Sequence, residues 1–420
     1  MTPMKQPCPT SVRLSKLLAA TVCVVAALSV APPARAGGIY GNEFGTPEMG
    51  TAGAGAEASA LDASTAIPFY NPAGMTQLEG NQLIVAAGAL FPSAEFELDP
   101  ATNISGGNGG QAADTVPILT AAYVHSFSDR FKFGVALFAA AGAGLEYDPD
   151  WAGRYQAQTS TIAALSLSPT LAYRVNSWFS IGGGLNIMAS ALETKVAVPR
   201  LLQPDGQVVI DGTDTQLSFN LSAMFEPGEK TRVGVAYVSE TEFDYAGDVS
   251  FSNIDVVAPV NTTLTLAQVL RVGVHHDINA KAAIVGTLGW ENWSALENQF
   301  ISVGTVGTAT LARNWDDTYR YGVGFHYRVG DTWLLRFGVN YDTSPTRSED
   351  RTADLPVDDQ LRISGGFQNQ RGEKFSWGAA LLYADLGDAE INSSGLVGDL
   401  VGSYKSNSYI GAAFNFQWRF

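Results

Sequence analysis

Charge is scarce in this chain of 420 residues. Only 16% of them are Asp, Glu, Lys or Arg, against about 25% in an average soluble domain. Basic residues are scarcest, 25 against 41 acidic, for a net charge of −16. Phosphate binding needs a basic face, so nucleic acid is excluded as a partner. Cysteine is nearly absent. Cys8 and Cys23 are the only two, which leaves no disulfide framework and no thiolate metal site. Long apolar runs are missing beyond residue 30. Later runs such as Leu83 to Phe91 are strand-sized, well short of the roughly 20 residues of a membrane-spanning helix. Histidine is rare as well. His275 and the adjacent His276 fall on opposite faces of a strand, which suits no metal site. No phosphate-binding loop and no Ser/His/Asp constellation is legible. Catalysis, a cofactor and a bound metal are therefore not expected. What is present is apolar and small. Hydrophobic residues make up 46% of the chain and 44 residues are Gly, too apolar a composition for a disordered protein.

Residues 1–36 read as a secretory signal peptide. Lys5, Arg13 and Lys16 form its positive start, Leu17 to Val30 its apolar stretch, and Ala34-Arg35-Ala36 its cleavage site. Both cysteines lie in this segment. Removing its four basic residues leaves 21 basic against 41 acidic, a net charge of −20. The mature chain is expected to begin at Gly37. An exported chain without a spanning helix is either soluble or a β-barrel.

The C-terminal half alternates with period two. Tyr319, Tyr321, Val323, Phe325, Tyr327 and Val329 share one face; Thr318, Arg320, Gly322, Gly324, His326 and Arg328 share the other. Trp333 to Asp342, Phe375 to Tyr383 and Tyr409 to Phe420 repeat the pattern. A soluble sandwich buries the aromatic face, whereas a membrane barrel turns it to lipid and the polar face to the lumen. Periodicity does not separate these two. The connections do. Short turns are expected near Ser128-Asp129, Val175-Asn176, Pro227-Gly228-Glu229, Ile278-Asn279, Gly330-Asp331 and Arg371-Gly372-Glu373. Between them lie polar stretches over 99–115, 146–160, 197–213, 246–261, 295–316, 343–359 and 386–406. Six short and seven long connections join fourteen strands, an even number, as in bacterial outer-membrane barrels. The fold class is thus all-β: a transmembrane antiparallel barrel of about 14 strands over 81–420, expected to be a monomer. Phe420 closes the last strand and resembles the signal read by the barrel assembly machinery. The acidic residues Glu349, Asp350, Asp354, Asp358 and Asp359 read as a solvated loop, with Ca²⁺ binding or a bridge to lipopolysaccharide as the alternative.

Residues 37–80 do not read as strands. They are rich in Gly and Ala, and Asn71 followed by Pro72 marks a helix start, with Asn as cap and Pro in the first helical position. Short helices packed inside a larger structure suit this composition. The run GNEFGTPEMGTAGAGAEASALDASTAIPFYNPAGM, over 41–75, resembles the N-terminal hatch of the FadL-type outer-membrane transporters of hydrophobic compounds. Residues 144–155, 289–294, 314–320 and 336–362 resemble the same family, so the resemblance covers the mature chain.

The resemblance implies a barrel plugged by its hatch. It implies passive uptake of a hydrophobic cargo, captured outside and released sideways into the membrane at a kinked third strand. Long-chain fatty acids lead, and aromatic hydrocarbons are the alternative within the family. A general porin and a structural surface barrel are the alternatives outside it. It also implies a ligand pocket lined by the mature N-terminus, here Gly37, Gly38, Ile39 and Tyr40. Asn71, Pro72 and Ala73 are the hatch residues expected to meet the kink. The third strand is expected over Phe131 to Leu145. Its alternation fails from Ala139 to Gly144, so Gly142 and Gly144 mark either a kink or close packing on the hatch. Arg320, Arg336 and Arg362 fall on lumen faces. They are expected to hold the hatch through Glu43, Glu48, Glu57 or Asp62; binding a cargo carboxylate is the other reading.

Overall fold

The computed structural model describes residues 39–420 apart from 201–202, 252–255, 304–306 and 396. The proposed signal peptide, Gly37 and Gly38 lie outside the described residues. Among the described residues, nineteen strands form one antiparallel sheet that closes on itself. Fourteen of them make the barrel wall: β1 (Gln82–Leu98), β2 (Val116–Ser126), β3 (Phe131–Glu146), β4 (Thr159–Asn176), β5 (Phe179–Val198), β6 (Gly206–Gly228) and β7 (Thr231–Val238), then β10 (Val269–Asp277), β11 (Ala282–Glu291), β14 (Thr318–Val329), β15 (Trp333–Asp342), β16 (Gln360–Arg371), β17 (Phe375–Asp385) and β19 (Gly398–Arg419). The first and last pair from Gln82 opposite Arg419 to Leu98 opposite Gly402. Closure pairs each wall strand with two neighbours, as strands in lipid require.

The other five strands stand on the long-loop side. The hairpin of β8 (Thr241–Phe251) and β9 (Val256–Leu266) pairs with the upper part of β6. The hairpin of β12 (Asn298–Val303) and β13 (Gly307–Ala312) pairs with β9. β18 (Ile391–Gly395) pairs with β19. Stretches 197–213, 246–261, 295–316 and 386–406, read from the sequence as long polar connections, are therefore largely strand. They are polar because they project beyond the apolar band, where both faces meet water or other loops. The barrel's turns fall at 127–130, 177–178, 229–230, 278–281, 330–332 and 372–374, within two residues of the sequence expectation.

The faces decide between sandwich and membrane barrel. Tyr319, Tyr321, Val323, Phe325 and Tyr327 are between 39% and 55% exposed, while Arg320 and His326 between them are buried. Ile410, Phe414 and Phe416 are exposed and Asn415 is fully buried. An apolar band outside and polar side chains inside is the arrangement that lipid demands. No described helix is long and apolar enough to cross a membrane.

Residues 39–80 pack against the lumen face as four short helices: Pro47–Thr51, Ala56–Ser59, Ala63–Ala66 and Pro72–Gln77. Small side chains make the fit possible on both sides. Ala54, Ala58, Ala66 and Ala73 are fully buried. On the wall, a Cβ at Gly234 would lie 1.7 Å from the Glu57 carbonyl oxygen, and one at Gly338 would lie 2.2 Å from that of Thr51. Only Gly admits so close a backbone approach.

Candidate functional site

The β2–β3 ladder is incomplete. The two strands pair only from Ser126 opposite Lys132 to Ala121 opposite Leu137. Above that point β2 keeps its bonds to β1, and β3 keeps its bonds to β4. The register of β3 on β4 shifts between Ala139 and Ala141. Ala140 is the extra residue, which bends the strand away from β2. This bulge falls inside the irregular run noticed in the sequence. Gly142 and Gly144 lie just beyond it and are buried.

A backbone edge freed in this way needs new partners. The N-terminal segment supplies them. The Gly41 N–H donates to the Ala140 carbonyl at 3.1 Å, and the Gly142 N–H donates to the Ile39 carbonyl at 3.0 Å. Tyr40 thus forms a one-residue bridge with Ala141. Ile39 and Tyr40, expected in a ligand pocket, stand at the gap.

Asn71, Pro72 and Ala73 do not meet the bulge. Asn71 Oδ1 caps the helix Pro72–Gln77 by accepting from the Ala73 N–H at 3.0 Å. Its Nδ2 donates to the carbonyls of Glu57 and Ala223, and the Ala73 N–H also donates to Ser222 Oγ. Ser222 and Ala223 lie on β6, and Glu57 lies in the N-terminal segment itself. A Cβ at Gly182 of β5 would lie 2.5 Å from the Ala73 nitrogen. The missing side chain there seats Ala73 against β5, while Met75 of the same helix packs on β3 at Gly134, below the bulge.

Behind the gap lies an aromatic cluster. The Tyr40 ring sits 5.0 Å from Phe69 and 5.3 Å from Trp293. Phe138, the first β3 residue past the end of the ladder, lies 5.2 Å from Phe44 and 6.1 Å from Phe69. The edge-on and tilted geometries suit the ring quadrupoles. Leu264, Leu266 and Ala267 close the cluster from the long-loop side, and the Tyr40 hydroxyl donates to the Ala267 carbonyl.

One cation borders these rings. The Arg271 guanidinium stands 5.4 Å from the Phe69 centroid. Its Nη2 donates to Glu291 and Asn42 at 2.9 Å, while its Nε has no partner. Arg271 and Glu291 were not singled out in the sequence. The signal was present: Arg271 shares its inward face with His275, and Glu291 ends the next strand.

The three arginines that were singled out are buried; Arg320 and Arg362 share Asp342, while Arg336 pairs separately with Glu48. Arg336 donates to Glu48 at 2.9 Å, and Arg362 donates to Glu43 at 2.9 Å. Arg320 reaches the segment only through Asn42, at 3.0 Å, and gives its other bonds to Asp342 of the wall. Arg362 also donates to Asp342. Glu57 accepts instead from Thr287 at 2.6 Å, and Asp62 caps Ser64.

The acidic loop 343–359 is not uniformly solvated. Asp354 is buried and takes two bonds from Arg313, at 2.8 and 2.6 Å. Asp358 pairs with Arg351 at 3.0 Å. Burial pushes the Asp354 carboxyl up, but Arg313 outweighs it and holds the group below the ordinary carboxylate range.

Residues 27–420 match the family model described as outer membrane protein transport protein (OMPP1/FadL/TodX). The chain belongs to this family. It is a transport protein of the outer membrane, and members of the family are transporters or channels, not enzymes. The long-chain fatty acid transport protein of Escherichia coli K12 is 25% identical, over 83% of this chain and 88% of that protein. Two solved structures share the fold. A FadL homologue from Pseudomonas aeruginosa covers 91% of this chain with all of its own, at a TM-score of 0.84 and 19% identity. The toluene transporter TbuX of Ralstonia pickettii covers 90% of this chain and 98% of its own, at 0.68 and 19%.

Proposed function

We propose that this family member takes up long-chain fatty acids across the outer membrane. The aromatic cluster captures the cargo, and the Ile39–Gly41 segment yields its place on β3. The cargo then leaves sideways between β2 and β3. Each buried CH₂ contributes about 0.8 kcal/mol, so an apolar site concentrates such a molecule without an energy source. Lateral release offers lipid directly. Residues 37–80 act as the hatch, anchored by Arg320, Arg336 and Arg362, and Phe420 addresses the chain to the assembly machinery.

The observation that carries the fatty-acid reading is Arg271. Its buried guanidinium has an open N–H beside aromatic rings, which matches a carboxylate on an apolar chain. The E. coli relative, named for long-chain fatty acid transport, supports the same reading. A second reading is aromatic hydrocarbon uptake. It is favoured by the slot between Phe69 and Trp293, which already holds one six-membered ring, that of Tyr40.

Uptake of radiolabelled oleate and toluene, by cells lacking their own transporter and expressing this chain, tests both. Oleate uptake that falls in Arg271→Gln supports the first. Toluene uptake alone, indifferent to Arg271→Gln, replaces it with the second. Uptake of neither by a folded barrel refutes both.

A further inference from the structure

At the short-turn end of the lumen lies a polar cavity of about 70 Å³ that the uptake reading leaves unused. Arg232, His275, Asp277, Lys281, His326 and Arg328 line it. The two histidines come from strands that are not neighbours. His275 on β10 sits opposite Val285, and His326 on β14 sits opposite Ala283, with β11 between them. The short Ala283 side chain lets the rings meet edge to face at 5.4 Å. Both histidines are buried, at 4% and 3% exposure. His275 Nε2 stands 3.3 Å from Asp277 Oδ1. His275 Nδ1 and His326 Nε2 have no partner. Both histidines line the cavity, and each keeps one buried ring nitrogen without a partner, a costly arrangement that a polar occupant close by would ease.

Charge decides the kind of occupant. A pair of histidines suggests a metal. However, the same walls carry Arg232, Arg328 and Lys281 against the single carboxylate of Asp277. A divalent cation would enter a repulsive field. Among the described residues, no group of three or more His, Cys, Asp and Glu is placed to hold a metal. An oxyanion meets attraction from three cations and finds N–H donors at guanidinium and imidazole. Arg232 is already fixed, donating to the carbonyls of Ala58 and Ser59 at 3.0 Å. One cation of the site is thereby pre-positioned. The volume suits a head group rather than a chain, since liquid water takes about 30 Å³ per molecule.

We propose that this cavity is an oxyanion-binding site on the periplasmic side of the barrel, one that takes a carboxylate or a phosphate group. It does not rest on the uptake reading, because none of its residues belongs to the aromatic cluster.

The test uses the purified full chain in a neutral detergent with ¹⁵N-labelled histidine. Inorganic phosphate, hexanoate and Zn²⁺ are titrated separately, and the rings are assigned from His275→Gln and His326→Gln. Phosphate or hexanoate is expected to move the His275 and His326 resonances and to leave His125 and His276 in place, with a dissociation constant on the order of 1 mM. A response to phosphate alone assigns a phosphate group, and a response to hexanoate alone assigns a carboxylate; either supports the site. The Arg328→Gln/Lys281→Gln pair is expected to weaken binding about tenfold while the barrel stays folded. No shift with either anion overturns the proposal. So does a shift that the double variant leaves unchanged. A response to Zn²⁺ alone overturns it in favour of a metal pair.

Discussion

The two ends of the N-terminal segment are held by different forces. From Asn42 to Ser59 it is fixed by buried ionic and hydrogen bonds, Glu43 to Arg362, Glu48 to Arg336 and Glu57 to Thr287. At Ile39 to Gly41 it is held by two main-chain hydrogen bonds, one phenol and ring packing. The first kind of tie is difficult to release, because each buried charge left behind lacks both partner and water. The second kind is exchangeable. Another strand edge or an apolar ligand offers equivalent contacts. On the proposed uptake route, a segment that stays in the lumen while its tip yields needs this division.

The largest test of that comparison is Glu48→Ala. It strands the Arg336 guanidinium, and losing one partner of a buried pair costs about 3–5 kcal/mol. The expected result is a lower urea midpoint and a rise in planar-bilayer conductance as the segment loosens. Unchanged conductance would show that the ionic ties do not hold it. Next is Tyr40→Ala, which removes a fully buried ring at a cost of about 3 kcal/mol. Here the midpoint is expected to fall while conductance stays low, because only the tip is freed. A conductance rise equal to that of Glu48→Ala would erase the distinction. Smaller still is Gly41→Pro, which deletes one donor to the β3 edge at about 1 kcal/mol. Hydrogen exchange at the Gly142 amide should quicken, with Arg336 and Arg362 unaffected.

The smallest effect concerns the loop 343–359. The Asp354 carboxyl is depressed by Arg313, so its stabilising pairing is fully present above the unfolded value of about 3.9. It is lost as pH falls through the lower folded value. Protease nicking of this loop is expected to rise only below about pH 4, and Arg313→Gln should move that onset upward.

Much of the barrel was legible in the sequence. Period-two alternation assigns each residue a face, and fourteen strands with six tight turns follow from it. The irregularity at Ala139 to Gly144 marked the bulge. The loop hairpins were not legible, since strands such as Val256–Leu266 carry neither an apolar band nor strict alternation. The destination of Asn71 to Ala73 was not legible either. It is set by the missing side chain at Gly182, more than a hundred residues away. The same holds for His275 and His326. Each face was readable, but their meeting depends on two strands sharing β11 as neighbour.

The sequence by itself determined the class of molecule: its export, its strand count, the aromatic outer face and the buried arginines. These follow from local periodicity and composition, which operate within a single strand. Only the tertiary structure decided which arginine meets which glutamate, where the β2–β3 ladder ends, and that Ile39 to Gly41 fills the place. Those outcomes depend on closing the barrel and on the stagger between its strands. A relation between residues some hundred to three hundred positions apart leaves no trace in a period of two.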